Sequence, residues 1–70
     1  MAKNLTQQDK SLADLIGRTA LRVARTLPSS EGDELTRVVG RLALLNQAQM
    51  LVGVDNKMAR RLKEKADSQG

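Results

Sequence analysis

The chain has 70 residues, with 12 lysines or arginines against 8 aspartates or glutamates, a net charge of +4, and no cysteine, histidine or aromatic residue. Without cysteine or histidine there can be no disulfide, thiolate nucleophile or imidazole base, and the usual zinc and haem ligand sets are absent. Without aromatic rings there is no platform on which single-stranded bases could stack. We therefore expect no enzymatic activity, no cofactor, no metal site and no small-molecule substrate.

The length predicts one small domain covering residues 1–70. A domain of this size buries only about 60% of the surface that its unfolded chain exposes, so its stability is marginal. With no disulfide or metal to help, a second copy of the chain is the expected source of further stability. No apolar signal segment follows Met1, and the apolar runs fall far short of the roughly 18 residues that a membrane span needs. These features predict a cytoplasmic protein with no membrane contact.

The first predicted helix spans about residues 6–27, where apolar residues recur every three or four positions. They are Leu12, Leu15, Ile16, Ala20, Val23 and Leu27. The opposite side carries Arg18, Arg22 and Arg25, which we call the basic strip. The basic strip is either a solvated face or a rim that contacts phosphate or an acidic protein. Pro28 disfavours helical geometry at Leu27 and predicts the end of the helix there.

The second predicted helix spans about residues 31–51 and returns antiparallel to the first, because only a short turn separates them. Ser30 is the expected N-cap, and the acidic residues after it suit the first turn of a helix. In this register Gly17 and Gly40 lie near the same level, where they could allow the two backbones to approach closely.

The second helix changes its apolar face halfway along. Its first half has an apolar cluster made by Leu35, Val38, Val39 and Leu42. The second half has another, made by Leu44, Leu45, Ala48, Leu51 and Val52, which lies roughly 120° away around the helix. Either the helix is straight and its second half contacts something other than the first helix, or it breaks near Gly40.

The third predicted helix spans about residues 55–65, after a turn at Gly53 and a capping residue at Asp55. Residues 55–65 carry five basic side chains and two acidic ones. The predicted fold is therefore all-α, a helical hairpin followed by a short basic C-terminal helix, in a dimeric helical bundle.

Residues 45–64 also fit a helix-turn-helix pattern with Gly53 at the turn. The positions that such a unit buries hold Ala48, Val52, Val54, Ala59 and Leu62, all of them apolar. The side chains that would project from its second helix include Asn56, Lys57, Arg60 and Arg61. This stretch resembles the DNA-reading unit of small phage repressors and activators, and the resemblance implies contact of these four residues with duplex DNA. A solvated basic helix explains the same residues without DNA.

The second apolar cluster exceeds what one hairpin can bury, and we interpret it as a protein-interaction site. It would pack against a second copy in a four-helix bundle or against a helix of a larger protein. The leading hypothesis is a small non-enzymatic regulatory protein, of the steric inhibitor, antirepressor or adaptor type, with arginine rims that set orientation. The alternative is a helix-turn-helix transcriptional regulator that uses residues 45–64.

Overall fold

The structure is a computed structural model that describes residues 4–69. It consists of three α-helices, α1 (Gln7–Ala24), α2 (Gly32–Leu51) and α3 (Asn56–Ser68), with a short 3-10 helix (Leu27–Ser29) between α1 and α2. No strand occurs among these residues, so the predicted all-α fold with a helical hairpin is confirmed. The helices form a rod of about 40 × 19 × 18 Å, in which α2 contacts both of the others.

A capping box begins α1. The Thr6 hydroxyl accepts a hydrogen bond from the backbone N–H of Asp9 at 3.1 Å, and Asp9 Oδ2 accepts one from the backbone N–H of Thr6 at 3.0 Å. This reciprocal pair satisfies two of the N–H groups that a helix start otherwise leaves without partners. The helix therefore begins where the sequence predicts it.

The connection between α1 and α2 differs from the prediction. The first helix ends at Ala24, three residues early, and the chain passes through the 3-10 helix before α2 begins. Ser30 is not the N-cap of α2, because its hydroxyl donates to the carbonyl of Thr26 at 2.6 Å. The chain instead enters α2 through Glu31, which provides no side-chain cap, and Gly32, whose φ of 59° suits glycine.

The second helix continues through Gly40 without interruption, so of the two alternatives the unbroken helix is the one observed. Gly17 and Gly40 also do not face each other. A Cβ at Gly17 would meet Gln49 Nε2 at 3.6 Å, and one at Gly40 would meet Gln69 Oε1 at 3.9 Å. Of the first apolar cluster, Val38 and Leu42 pack into the core, whereas Leu35 and Val39 stay exposed. The second cluster lies against the same core, where α2 also contacts α3.

The turn between α2 and α3 depends on Gly53, whose φ is 81°. After this turn Asp55 caps α3, its side chain accepting from the backbone N–H of Met58 at 3.0 Å. The helix continues to Ser68, three residues beyond the predicted end. Its far end returns to α2, because Arg41 Nε donates to the carbonyl of Ala66 at 3.2 Å. A cation at the C-terminus of a helix is favoured by the partial negative charge of the last carbonyls.

The core lies where the three helices meet. It consists of the buried side chains of Leu12, Ile16, Val23, Val38, Leu45, Ala48, Ala59 and Ala66. Three of these are alanines with no exposed surface, two of them in α3. Because alanine is small, it lets the α2 and α3 backbones come close together, and the contact between these two helices is the most extensive in the structure.

Within the described residues, no helix combines the length and the hydropathy that crossing a membrane requires.

Candidate functional site

The structure places the predicted protein-interaction residues against the chain itself. Leu45 is 1% exposed and Ala48 is fully buried, so in this conformation neither is accessible to a partner. Leu44, Leu51 and Val52 are half-buried and pack against the same core. The second apolar cluster, for which the sequence predicts no contact within the chain, is thus in large part covered by α3.

The apolar side chains of α2 that stay exposed lie on its opposite side. We call it the neutral face, and it is formed by Leu35, Val39, Ala43, Asn46, Gln47 and Met50, all of which are exposed. At 100° per residue these six positions fall within about 120° of the helix circumference. They form one continuous strip along the outside of α2.

No charged side chain lies within this strip. The four charged residues of α2 are Asp33, Glu34, Arg37 and Arg41, and all of them project from other sides of the helix. Three of the neutral-face side chains are large and apolar, with Met50 72% exposed, Val39 53% and Leu35 39%. A contiguous uncharged surface with exposed apolar side chains is typical of a site that contacts another molecule.

The predicted DNA-contacting residues divide into two groups. Lys57, Arg60 and Arg61 are exposed on α3, and no ion pair forms at any of them within residues 4–69. Lys57 and Arg61 align with Lys65 at a spacing of four residues, which places the three cations in a row about 12 Å long. We call Lys57, Arg61 and Lys65 the basic ridge.

Asn56 has a structural role instead. Its amide nitrogen donates to Asp9 Oδ1 at 2.5 Å, and its amide oxygen accepts from the backbone N–H of Gly53 at 2.8 Å. Asp9 is only 8% exposed. Asn56 therefore joins the start of α1 to the turn before α3, and both ends of its amide are occupied, so base contact would have to break these bonds.

The arrangement of α2 and α3 is that of an antiparallel hairpin. Arg41 and Ala66 each lie ten residues from the ends of α2 and α3 that the turn joins, yet Arg41 Nε reaches the carbonyl of Ala66. In a helix-turn-helix unit the two helices cross at about 90–120° and would diverge over that distance. Four of the five apolar positions that suggested the unit serve the hairpin core, namely Ala48, Val52, Ala59 and Leu62, whereas Val54 is 72% exposed. These positions therefore give no packing argument for a DNA-reading second helix.

The basic strip of α1 is exposed along its whole length. Arg18 pairs with Asp14 at 2.9 Å, with both side chains mostly in solvent. The carbonyl of Ala13 in α1 accepts a hydrogen bond from Gln49 Nε2 of α2 at 2.9 Å. At 100° per residue the three arginines lie on the side of α1 that faces away from its buried residues.

Between α1 and α3 there is a shallow groove of about 310 Å³ that Leu12, Leu15 and Arg60 help to line. Leu15 is 50% exposed in it. Within residues 4–69 no group of three or more acidic side chains is placed to hold a metal ion.

The neutral face was not recognised in the sequence, although its signal is present there. The signal is that positions on one side of the helix between Leu35 and Met50 carry no charge, although 29% of the residues in the chain are charged.

Comparisons of the chain with protein-family models, with curated protein sequences and with solved structures found no significant match.

Proposed function

We propose that this protein is a small non-enzymatic regulatory protein that binds a larger protein through the neutral face of α2. The observation that carries the proposal is the combination of exposed Leu35, Val39 and Met50 with a complete lack of charge on that face. A partner helix could bury these three side chains without having to compensate any buried charge. The mechanism is steric, since the bound protein covers part of its partner's functional surface.

The chemistry of the neutral face favours a helix or a helix groove as the partner surface. Apolar side chains spaced by three or four residues fit between those of another helix. Asn46 and Gln47 lie among them and can donate and accept hydrogen bonds, which makes the fit more selective. The basic surfaces of α1 and α3 remain outside the contact and can speed association with an acidic protein.

The test compares two glutamate substitutions at positions of nearly equal exposure. Val39→Glu places a charge in the neutral face, whereas Leu15→Glu changes a side chain on α1 that is 50% exposed and lies beside Arg60. Affinity capture from an extract of the expressing cells, with nuclease added, should recover a protein with the unmodified chain and with Leu15→Glu. Val39→Glu should reduce that recovery at least tenfold. Equal recovery with all three chains would contradict the proposal.

A second candidate function is supported by the basic ridge. Its cations are exposed and free of ion pairs in the described part of the chain, and they could contact the phosphates of duplex DNA. In a gel shift with mixed duplex DNA at low salt, the double substitution Lys57→Gln and Arg61→Gln should abolish retardation. The matched control, Arg18→Gln with Arg22→Gln, removes the same charge from α1 and should retain it. No retardation of the unmodified chain at low salt would exclude this function.

A further inference from the structure

We propose that a second copy of the same chain occupies the neutral face, with the two α2 helices antiparallel about a two-fold axis at Ala43. This inference rests on the proposed function, because it names one occupant of the surface through which the protein is proposed to bind. A dimer contact of this kind is isologous, so each copy contributes the same residues.

Charge distribution selects this face for self-association. The chain carries a net charge of +4, and most of its exposed basic side chains lie on α1 and α3. Two copies that met through α3 would bring their basic ridges together, and two that met through α1 would oppose their basic strips. Like charges at such short distances repel. The neutral face brings no charged side chain against its own copy, so it is the surface of this cationic chain best suited to a second copy.

The distribution of side-chain size on the neutral face also fits a two-fold axis. Ala43 lies close to the middle of the segment from Leu35 to Met50, which extends about 23 Å along the helix. A small residue at the crossing point lets the two helices approach to the 8–10 Å at which side chains interdigitate. Around an axis at Ala43, Val39 lies opposite the partner's Gln47. Thr36, which is exposed on the same side of α2, lies opposite the partner's Met50. Each copy thus places the long side chains of Gln47 and Met50 opposite shorter β-branched ones on either side of the small centre.

A contact confined to one helix face is smaller than a standard interface of about 1,600 Å². We therefore expect a dimer that dissociates readily on dilution. A larger protein that binds the neutral face has to displace the second copy, and its binding and self-association are mutually exclusive. Because the dimer covers the neutral face, the affinity of the dimer would determine the protein concentration below which the face is available to a larger protein.

The chain contains no cysteine, so a single introduced cysteine can form a disulfide only with the cysteine of another chain. Ala43→Cys places the two thiols at the axis, and mild oxidation should give a disulfide-linked dimer in high yield. Met50→Cys alone should not cross-link, because the two positions lie about 21 Å apart along the antiparallel helices, far beyond the Cα separation of roughly 4.4–6.8 Å that a disulfide allows. An equal mixture of Thr36→Cys and Met50→Cys should give the mixed disulfide, identified by peptide mass spectrometry.

Ser11→Cys is the control, since Ser11 is exposed on α1 and away from the neutral face. Ala43→Cys is expected to cross-link at least tenfold faster than Ser11→Cys. Similar rates for the two would overturn the inference, and so would efficient cross-linking of Met50→Cys alone, which indicates parallel helices.

Sedimentation equilibrium of the unmodified chain provides an independent measurement that needs no substitution. The apparent mass should rise from 7.6 kDa toward twice that value with concentration, and Val39→Glu should keep it at the monomer value. A monomer at all concentrations overturns the dimer. If Val39→Glu still abolishes capture of a larger protein in that case, the proposed function survives without this inference.

Discussion

The inner and outer faces of α2 are built from similar residues but have different surroundings. The inner face contains Leu45 and Ala48, which are buried against α3, and the outer face contains Val39 and Met50, which are more than half exposed. Neither pair carries charge. The difference shows that an apolar cluster in a short chain does not by itself identify an interaction surface, because a later segment of the same chain can cover it. What distinguishes a candidate surface is that the folded chain leaves it uncovered.

The largest expected effect is at the centre of the inner face. Leu45→Ala should lower the free energy of unfolding by about 2–5 kcal/mol, because it removes a buried side chain and leaves a cavity between helices. Urea denaturation followed by circular dichroism measures this change. Met50→Ala on the outer face is the control and should change the free energy by less than about 0.5 kcal/mol. Equal losses would mean that the two faces are not distinguished by burial.

The next effect concerns the residue that positions α3 over the inner face. Asn56→Ala removes hydrogen bonds to Asp9 and to the backbone of Gly53, and should lower the free energy of unfolding by about 1–3 kcal/mol. The exposed α3 substitution Lys57→Ala serves as the control. Hydrogen exchange should show faster opening at the starts of both α1 and α3 in Asn56→Ala, and opening confined to α3 would contradict the assigned link.

A smaller loss is expected at the turn that brings α3 back onto α2. Gly53→Ala forces a side chain into a left-handed conformation with φ of 81°, which costs about 1–2 kcal/mol. The new Cβ would also lie 2.8 Å from Leu5 Cδ2, but that side chain is 40% exposed and can move aside. Thermal unfolding of Gly53→Ala and Gly53→Asn separates the two causes, because asparagine tolerates the left-handed conformation better than alanine does. Equal destabilisation by both would point to the contact with Leu5.

The smallest effect on folding, and the most informative for function, is expected on the outer face. In dilute solution Val39→Ala should change the free energy of unfolding by less than about 0.5 kcal/mol, since Val39 is 53% exposed. At high concentration the unmodified chain should gain stability through association, and Val39→Ala should gain less. Unfolding midpoints measured over a hundredfold range of concentration test this difference.

The sequence predicts the helices well because their signals are local. The apolar spacing around Leu12 and Ile16, the turn at Gly53 and the cap at Asp55 all depend on residues a few positions apart. The capping box at Thr6 and Asp9 was missed, although its four-residue pattern is visible in the chain.

The positions of the helices relative to one another were harder to predict, because they depend on contacts between distant residues. The charge of the third helix suggested a solvated or DNA-binding segment, whereas its Ala59 and Ala66 are fully buried against the rest of the chain. Alanine carries little apolar surface, so a face made of it gives only a weak periodic signal. The predicted proximity of Gly17 and Gly40 failed for the same reason, because it also depends on how distant helices pack. The neighbours of these two glycines are glutamine side chains rather than each other.

The hydrogen bond between Asn56 and Asp9 joins residues 47 positions apart. The capping box joins residues only three positions apart, so its partners are made almost together during translation. The contact with Asn56 has to wait until α2 has been translated. The start of α1 is therefore joined to the turn before α3 late in synthesis, and until α3 has been made the inner face of α2 stays open to other apolar surfaces.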